Sequence, residues 1–400
     1  MKKAWLILAL GLSTPALGQQ TPIGIAPVIL SEQPYIFDTA EQHGIKVTVL
    51  AKGFARPFAM TFLPGGDLLV AERGIGLRLM HDASGAAVLD PAPIEGMPKP
   101  DPAGGNAGLH DIALHPDFAT NGLLYFTYNI PSSVEPAEGA TPLGRLAVMS
   151  ARYADGKVSN IKTLLEGGDA YPAGSRLRFG KDGTLFISTG APFGELAQDM
   201  GSIYGKILRL NDDGSIPPDN PFTGKEGVHP AVYSFGHRDQ HGLTIHPDGA
   251  VFSAEHGPNG GDELNLIKPG SNYGWPTTTF GRQYDGSPIS GPPVAPDSET
   301  PVLVWLPSIA PSGLLFYNGG KFPAWKGNLF IGSARRGEVP GTGGLERVVF
   351  GGNFGELRRE TLLTGLHQRV RDVVEGPDGF IYVLTDGNEH AVLRIEPAAL

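Results

Sequence analysis

The feature that most constrains the fold is a repeated pair of apolar strands joined by a short turn. An apolar strand enters a turn, often Pro-Asp-Gly, and a second apolar strand follows and ends in small or acidic residues. The Asp and Gly of each turn tolerate the backbone angles that a tight turn requires. Since one hairpin cannot bury both of its faces, the repetition predicts stacked, equivalent units. The six copies span residues 57–74, 108–129, 175–190, 241–257, 312–333 and 370–387.

The spacing of the copies predicts a closed ring. They recur roughly every 50 to 70 residues, which accommodates a four-stranded blade and a long loop, whereas the repeats of an open β-solenoid are much shorter. We therefore predict an all-β fold, a six-bladed β-propeller with four-stranded blades. Residues 77–80 and 206–210 are predicted third strands, and residues 391–395 a late strand of the last blade. Residues 46–50 are expected to pair with that blade, which would remove exposed sheet edges.

The segments outside the repeat suggest how the chain is organised. Two lysines, a short apolar stretch and small residues follow one another in residues 1–18, the order typical of a secretory signal peptide. Residues 19–40 are expected to form an N-terminal strap on the outside of the propeller, which spans residues 41–400. Residues 275–311, rich in Pro, Gly and Ser, are interpreted as a loop insertion between blades four and five, on the face of the ligand site.

Composition excludes several classes of function. The chain has no cysteine, so thiolate catalysis, zinc–cysteine sites and iron–sulfur clusters are excluded. The formal charge is −10, which argues against nucleic acid as a partner, because its binding needs clustered positive charge. No stretch beyond the signal peptide approaches the roughly 20 apolar residues of a membrane helix. We therefore expect a periplasmic or secreted protein that acts on a small molecule.

The segment 234–276 is the densest in polar and turn-forming residues. Gly257 and Pro258, followed by Gly260 and Gly261, form a turn in which carbonyl oxygens can converge. Because calcium prefers six to eight oxygen ligands, backbone carbonyls among them, this turn is a candidate metal site. The alternative interpretation is a rigid loop held by its own acidic side chains.

Arginines and histidines recur where the strands nearest the axis begin. Arginine pairs with carboxylates through two parallel hydrogen bonds, so a converging cluster would favour a small anionic ligand. The alternative is an ordinary surface ion pair for each arginine. A neutral histidine at the channel could act as a general base, although packing roles are the more common ones. The arginines are Arg238, Arg335, Arg336, Arg369 and Arg371, and the histidines are His110, His237 and His241.

Five segments together resemble a known family. They are GLHDIALHPDFATNGLLYFTY, YGKILRLNDDGSIPPDNPF, SFGHRDQHGLTIHPDG, EHGPNGGDELNLIKPGSNYGWP and VRDVVEGPDG. The chain is similar to the soluble glucose/sorbosone and aldose sugar dehydrogenases from about residue 53 to residue 395. Those enzymes are six-bladed propellers that use pyrroloquinoline quinone (PQQ) with calcium. The resemblance thus implies an enzyme that oxidises an aldose sugar or related alcohol by hydride transfer to PQQ.

The resemblance also implies roles for individual residues. Gly257 and Pro258 match the positions that offer carbonyl oxygens to calcium, and Arg238 matches the arginine beside the reactive quinone oxygen. The residues implied to contact the cofactor are Asn106, where the family has a glutamine; Asp239, where it has an asparagine; Arg335, where a lysine is often found; and Arg369 and Arg371, which match a clamping pair. No feature of the sequence identifies the electron acceptor.

One position departs from the family pattern in a way that bears on the reaction. The family has a histidine four residues before an Arg-Leu pair, and here that position is Pro172. Proline has no side-chain base, which leaves two explanations. Either another residue takes the proton, with His241 and His110 the nearest candidates, or the propeller binds the cofactor or a small anion without efficient sugar oxidation. A third possibility is a calcium-dependent lactonase, because unrelated six-bladed propellers carry that activity.

Overall fold

The strands form six antiparallel sheets, as the repeat predicts. The computed structural model describes residues 25–41, 44–99, 107–132, 134, 142–194 and 196–398. Two strands, β1 (Tyr35–Phe37) and β2 (Gly44–Lys52), precede the first complete blade. Blade one contains β3 (Pro57–Phe62), β4 (Leu68–Glu72), β5 (Gly76–His81) and β6 (Val88–Leu89). Blade two contains β7 (Gly108–Leu114), β8 (Leu123–Pro131), β9 (Gly144–Ala154) and β10 (Lys157–Glu166).

The remaining blades repeat this meander. Blade three contains β11 (Ser175–Phe179), β12 (Leu185–Thr189), β13 (Lys206–Leu210) and β14 (Val232–Phe235). Blade four contains β15 (Gln240–Ile245), β16 (Val251–Glu255), β17 (Asp262–Ile267) and β18 (Leu303–Trp305). Blade five contains β19 (Pro311–Phe316), β20 (Leu329–Ser333), β21 (Gly344–Phe350) and β22 (Glu356–Leu362). Blade six contributes β23 (Val370–Glu375), β24 (Ile381–Asp386) and β25 (His390–Ala398). The first strands of neighbouring blades pack against one another around the axis.

Helix is almost absent from the described residues. They contain one α-helix, α1 (Phe118–Asn121), and three 3₁₀ turns, Pro323–Trp325, Gly352–Phe354 and Thr364–Leu366. In this part of the chain, no helix has the length and apolar character needed to cross a bilayer.

The hairpin turns explain why the Pro-Asp-Gly signal is informative. In three blades the Asp side chain accepts a hydrogen bond from the backbone two residues ahead: Asp182 from Thr184 N–H at 3.1 Å, Asp248 from Ala250 N–H at 2.8 Å and Asp378 from Phe380 N–H at 3.1 Å. The glycine that follows Asp248 has a φ of 105°, which disfavours any side chain. The acidic and glycine positions of the repeat therefore fix the turn itself.

The ring closes between the two ends of the described chain. β2 pairs with β25 in an antiparallel register from Gly44 opposite Ala398 to Lys52 opposite Ala391. This confirms the pairing expected for residues 46–50, and β1 adds one further strand outside β2. The sixth blade thus combines strands from both ends of the propeller.

Part of the expected N-terminal strap is described. The Ile25 N–H donates to the Pro340 carbonyl at 3.2 Å, the Gln368 side chain donates to the Val28 carbonyl at 2.8 Å, and Leu30 is buried. Residues 25–30 therefore lie along blades five and six. The predicted signal peptide, residues 1–18, and residues 19–24 fall outside the described residues.

The position assigned to the long insertion is wrong. The segment from Trp275 to Val302 connects β17 to β18, which are the third and fourth strands of one sheet, and so it belongs to blade four. Residues 275–311 are also not loop throughout, because they include the strand β18 (Leu303–Trp305). A three-residue strand is too short to show the alternation by which strands are recognised in a sequence.

Closure of the ring makes a stability prediction. Leu393 in β25 is fully buried in a cluster that also contains Val47 of β2. We expect Leu393→Ala to lower the free energy of unfolding by about 2–5 kcal/mol, because it leaves a cavity in the core cluster that blades five and six share. Leu357→Ala, at a side chain that is 63% exposed in β22, is the matched control and should change it by less than about 0.5 kcal/mol. Denaturant unfolding measures both; equal effects would contradict the packing argument.

Candidate active site at the channel mouth

The polar residues singled out in the sequence gather at one face of the ring. Within each blade the first two strands are antiparallel, so the start of the first strand and the end of the second meet at the same edge. Loops before first strands carry Pro172, Arg238 and Arg369, and the loop after β16 carries Gly257. The topology therefore brings residues that are distant in sequence to one mouth of the central channel.

One side of this mouth is a cleft lined by arginines. It has a volume of about 350 Å³ and is lined by Arg73, Arg335, Arg369 and Asp386, among others. Arg371 and Arg369 donate through Nε to the two carboxylate oxygens of Asp386, at 2.8 and 3.2 Å. Although burial alone would raise it, the arginines lower the pKa of Asp386 to about 2. One carboxylate thus lies among three guanidinium groups, and the cleft carries excess positive charge.

Arg73, at the end of β4, was not among the predicted site residues. Burial, and then the neighbouring guanidinium of Arg371, lower the pKa of Arg73 to about 9. Its Nη2 lies 3.4 Å from Asp386. Because crowding of cations destabilises their charged forms, an anion in this cleft would be favoured. Nothing in the local sequence around Arg73 indicates this, since only ring closure places blade one beside blade six.

Phe58 connects the two halves of the mouth. Its buried ring lies 5.6 Å from the Arg371 guanidinium and 4.6 Å from that of Arg176, and 5.9 Å from the ring of His241. Guanidinium groups are attracted to the face of an aromatic ring. Phe58 therefore lies close both to Arg371, which pairs with Asp386, and to His241 of the histidine cluster described next.

The other half of the mouth contains Asp239, His241 and His256, the histidine cluster. The Nε2 atom of His241 lies 3.3 Å from Asp239 Oδ2, while Asp239 Oδ1 accepts the Gly174 N–H at 2.8 Å. His256 donates its Nε2–H to the Pro311 carbonyl at 2.7 Å and stacks on His241 with ring centroids 4.2 Å apart. Within the described structure, His241 Nδ1 is buried without a hydrogen-bond partner.

The protonation states of this cluster follow from its burial. Burial lowers the pKa of His241, an effect that Asp239 partly opposes, and burial also lowers the pKa of His256. Although burial would raise the pKa of Asp239, His241 and the neighbouring cations lower it overall. Both imidazoles are therefore neutral and the carboxylate charged at neutral pH. If the neutral His241 imidazole carries its proton on Nε2 and donates it in a hydrogen bond to Asp239, the Nδ1 atom retains a lone pair.

Arg238 contacts the candidate metal loop. Its Nη1 donates to the carbonyls of His256 and Gly257 at 2.8 and 3.0 Å, and its guanidinium lies 5.2 Å from the Trp275 ring. Its Nε is buried with no hydrogen-bond partner in the described part of the chain. Pro258 is buried next to these groups.

The acidic residues of this loop mostly hold its backbone. Asp262 accepts hydrogen bonds from the backbone N–H groups of Gly257, Ile309 and Ala310 at 2.9, 2.8 and 2.7 Å. Glu255 and Glu263 line a small buried space behind the loop, and burial raises the pKa of Glu255 to about 8. The rigid-loop interpretation therefore accounts for Asp262.

The segment that carries Pro172 lies directly against the histidine cluster. Pro172 is buried, near Gly144 of blade two. Two residues on, a methyl group added to Gly174 would lie 2.9 Å from His241 Nε2 and 2.3 Å from the Gln240 carbonyl oxygen. Glycine at this position thus lets the His241 imidazole occupy space next to the position where the family pattern has its histidine.

Other residues singled out in the sequence lie elsewhere or serve as packing. His110 stacks on Phe58 at 4.6 Å, and its Nδ1 lies 3.0 Å from Ser175 Oγ. His237 lies between Ser234 and Glu255, and Arg336 pairs with Glu346. Asn106 lies outside the described residues. The residues that sequence reasoning missed are Phe58, Arg73, His256 and Asp386.

The structure is a six-bladed propeller with a candidate active site at one channel mouth. That site combines a cationic cleft, a buried histidine–aspartate pair and a carbonyl-rich loop. Comparison with known proteins identifies the family. Residues 54–394 match the family model described as Glucose / Sorbosone dehydrogenase. The chain belongs to this family of oxidoreductases.

Named relatives support the same assignment. The chain is 36% identical to the aldose sugar dehydrogenase YliI of Escherichia coli, over 88% of this chain and 93% of that protein. It is 26% identical to the quinoprotein glucose dehydrogenase B of Acinetobacter calcoaceticus, over 88% of each chain. The solved structure of the PQQ-bound aldose sugar dehydrogenase from Streptomyces coelicolor is 27% identical, with a TM-score of 0.68 over 89% of this chain and 99% of that one.

Proposed function

We propose that this protein is a periplasmic or secreted quinoprotein that oxidises an aldose sugar or a related alcohol, with PQQ and calcium as cofactors. The observation that carries the proposal is the pairing of Asp239 with His241 at 3.3 Å, beside the Phe58 ring that also contacts the Arg371 guanidinium. A candidate base and an anion-binding cleft thus lie at the same mouth of the channel. The order of charge, apolar stretch and small residues in residues 1–18 supports export.

The cleft fits a tricarboxylate cofactor. Arg335 and Arg369 keep about two-fifths of their side chains exposed, so both can turn towards a ligand, while Arg73 and Arg371 are held by Asp386. Arginine–carboxylate pairs are strong because two parallel hydrogen bonds form at once. The Nε of Arg238, which is buried without a partner among the described residues, is a further donor beside the Gly257 carbonyl. When bound, PQQ supplies the acceptor for the hydride, and calcium supplies positive charge at its oxygen atoms.

The calcium site is incomplete in protein atoms alone. Gly257 and Pro258 offer carbonyl oxygens, the hard ligands that calcium prefers. However, the Gly257 carbonyl already accepts a hydrogen bond from the Arg238 guanidinium at 3.0 Å, which would place a positive charge next to a calcium ion held by that carbonyl. We therefore infer that the loop binds calcium well only together with an anionic ligand.

The histidine cluster supplies the base that Pro172 lacks. Asp239 accepts a hydrogen bond from the Nε2–H of His241. This leaves the lone pair on Nδ1 to take a proton from the substrate hydroxyl. Asp239 also stabilises the imidazolium formed in that transfer, as the carboxylate of a catalytic triad does. The Arg238 guanidinium, close to the carbonyls of the metal loop, would stabilise negative charge that develops there.

A second candidate function rests on Pro172 itself. If His241 cannot reach the substrate, the same cleft would bind the cofactor or another small anion without efficient oxidation. The experiment is to add CaCl₂ and PQQ to the purified mature chain and follow dye reduction with a panel of aldoses and alcohols. Turnover is the expected result. Tight PQQ binding with no turnover on any substrate would favour the second function, and no PQQ binding would refute the quinoprotein proposal and leave only the binding of another small anion.

The glycine beside His241 gives a further prediction. We expect Gly174→Ala to lower kcat by about tenfold, because the added methyl group displaces the imidazole and small misplacements of catalytic groups are costly. PQQ affinity should change little, since Gly174 does not line the arginine cleft. Steady-state kinetics and a PQQ titration measure the two effects. Gly168→Ala, at a glycine with open space around it, is the control, and an equal loss of kcat there would contradict the argument.

A further inference from the structure

A pair of aromatic side chains, the exposed Phe193 and the half-buried Tyr171, lies at the rim of the mouth. The rings of Tyr171 and Phe193 meet edge to face, with centroids 5.0 Å apart and an interplanar angle of 87°. Phe193 is 59% exposed, whereas Trp275 nearby is buried. In an edge-to-face pair, one ring contributes only its edge, so the partner ring covers neither face of that ring.

Backbone contacts tie this pair to the histidine cluster and to Arg238. Tyr171 is followed by Pro172 and by Gly174, whose N–H donates to Asp239 at 2.8 Å. Phe193 lies two residues after Ala191, whose N–H donates to the Arg238 carbonyl and whose carbonyl accepts the Trp275 indole N–H at 2.9 Å. Both aromatic residues thus project from segments that are fixed to the proposed reaction site.

We propose that Tyr171 and Phe193 form an aromatic platform that binds the apolar face of a pyranose ring. Such a face presents C–H groups with partial positive charge, and the face of an aromatic ring carries partial negative charge. The hydrophobic effect adds to this attraction, because the apolar surfaces of the aromatic ring and of the sugar are both removed from water. The platform would make the enzyme prefer cyclic sugars to short alcohols. This inference rests on the proposed function, whose substrate class it narrows.

Kinetics test the platform in the protein supplied with PQQ and calcium. We expect Phe193→Ala to raise KM for aldoses by about tenfold, from the loss of apolar area and of the ring face. The KM for a short alcohol such as 1-propanol should not change, and kcat for aldoses should fall less than twofold. Phe193→Trp should retain the wild-type KM, whereas Phe193→Leu should not. Leu357→Ala, a similarly exposed side chain on the outer strand of blade five, is the control.

A binding measurement separates this inference from the proposed function. Methyl β-glucoside has no free anomeric hydroxyl, and saturation-transfer NMR reports its contact with the protein whether or not the protein oxidises sugars. We expect transfer to the ring C–H protons in the wild type and a large loss in Phe193→Ala and Tyr171→Ala. Absence of transfer in the wild type, or equal transfer in both variants, would overturn the platform. Transfer without turnover on free aldoses would retain the platform and reject the oxidation.

Discussion

His241→Gln is expected to lower kcat for aldose oxidation by about 10²–10⁴-fold, the usual effect of removing a positioned general base. Glutamine approximates the size of histidine and can still donate a hydrogen bond to Asp239, but it cannot take a proton at neutral pH. PQQ affinity should stay within about twofold, because His241 is not part of the arginine cleft. Single-turnover and steady-state kinetics, with a PQQ titration, measure the two effects.

His246→Gln is the matched control for that variant. His246 lies in the β15–β16 turn, where its Nδ1 is 2.8 Å from Asp248, and its loss should leave kcat unchanged. If His241→Gln retains wild-type kcat while its thermal unfolding is also unchanged, another group takes the proton and the role assigned to His241 is wrong.

The pH profile provides an independent test of the same base. A general base works when unprotonated, and burial lowers the pKa of His241 below its ordinary value of 6.5. The acidic limb of kcat/KM is therefore expected below pH 6.5, with a plateau through neutral pH. Asp239 acts in the opposite direction and raises the pKa of His241, so Asp239→Asn should move that limb to still lower pH. A limb above pH 6.5 would contradict the assignment.

Arg369→Ala is expected to weaken PQQ binding by about 10–100-fold, the loss of one charge-assisted, bidentate hydrogen-bonded pair. The Arg369 side chain is 42% exposed and pairs with Asp386 only through Nε at 3.2 Å, so its removal leaves Asp386 bound to Arg371 and Arg73. The fold should survive. Isothermal titration with PQQ in the presence of calcium measures the change.

Two further variants make this prediction specific. Arg369→Lys keeps the charge and loses the planar fork, so it should recover only part of the affinity. Arg358→Ala is the control. Arg358 is also an exposed arginine, but it lies in β22, the outer strand of blade five, where it pairs with Glu41 and does not line the cleft. An equal loss in Arg358→Ala would mean that overall charge, and not the cleft, governs binding.

Most of the fold was predictable because its signals are local. In three blades the Asp of the turn fixes the hairpin through contacts within four residues, as Asp248 does with Ala250, and the six copies of the strand–turn–strand pattern predict six blades. The position of the long insertion was mispredicted because β18 is only three residues long. Its strand identity depends on pairing with β17, which no local pattern reveals.

The candidate site was predictable only in part, for a different reason. Arg369 and Arg371 stand at a repeated position, the start of a first strand, and matched a family pattern. Arg73, Phe58 and Asp386 gain their roles from ring closure, which places blades one and six side by side. Nor does the sequence alone distinguish His241 from His110. Only burial and partners separate a histidine paired with a carboxylate from one that stacks on Phe58.

The pairing of β2 with β25 also determines what the closed ring requires. Blade six pairs β2, which precedes blade one, with β25 of the segment that follows blade five, so the complete blade requires both segments at once. Arg369, Arg371 and Asp386 all belong to this last blade. The arginine cleft also includes Arg73 of blade one, so it is complete only where blades one and six meet, and a ligand bound there would stabilise the closed ring over the open one.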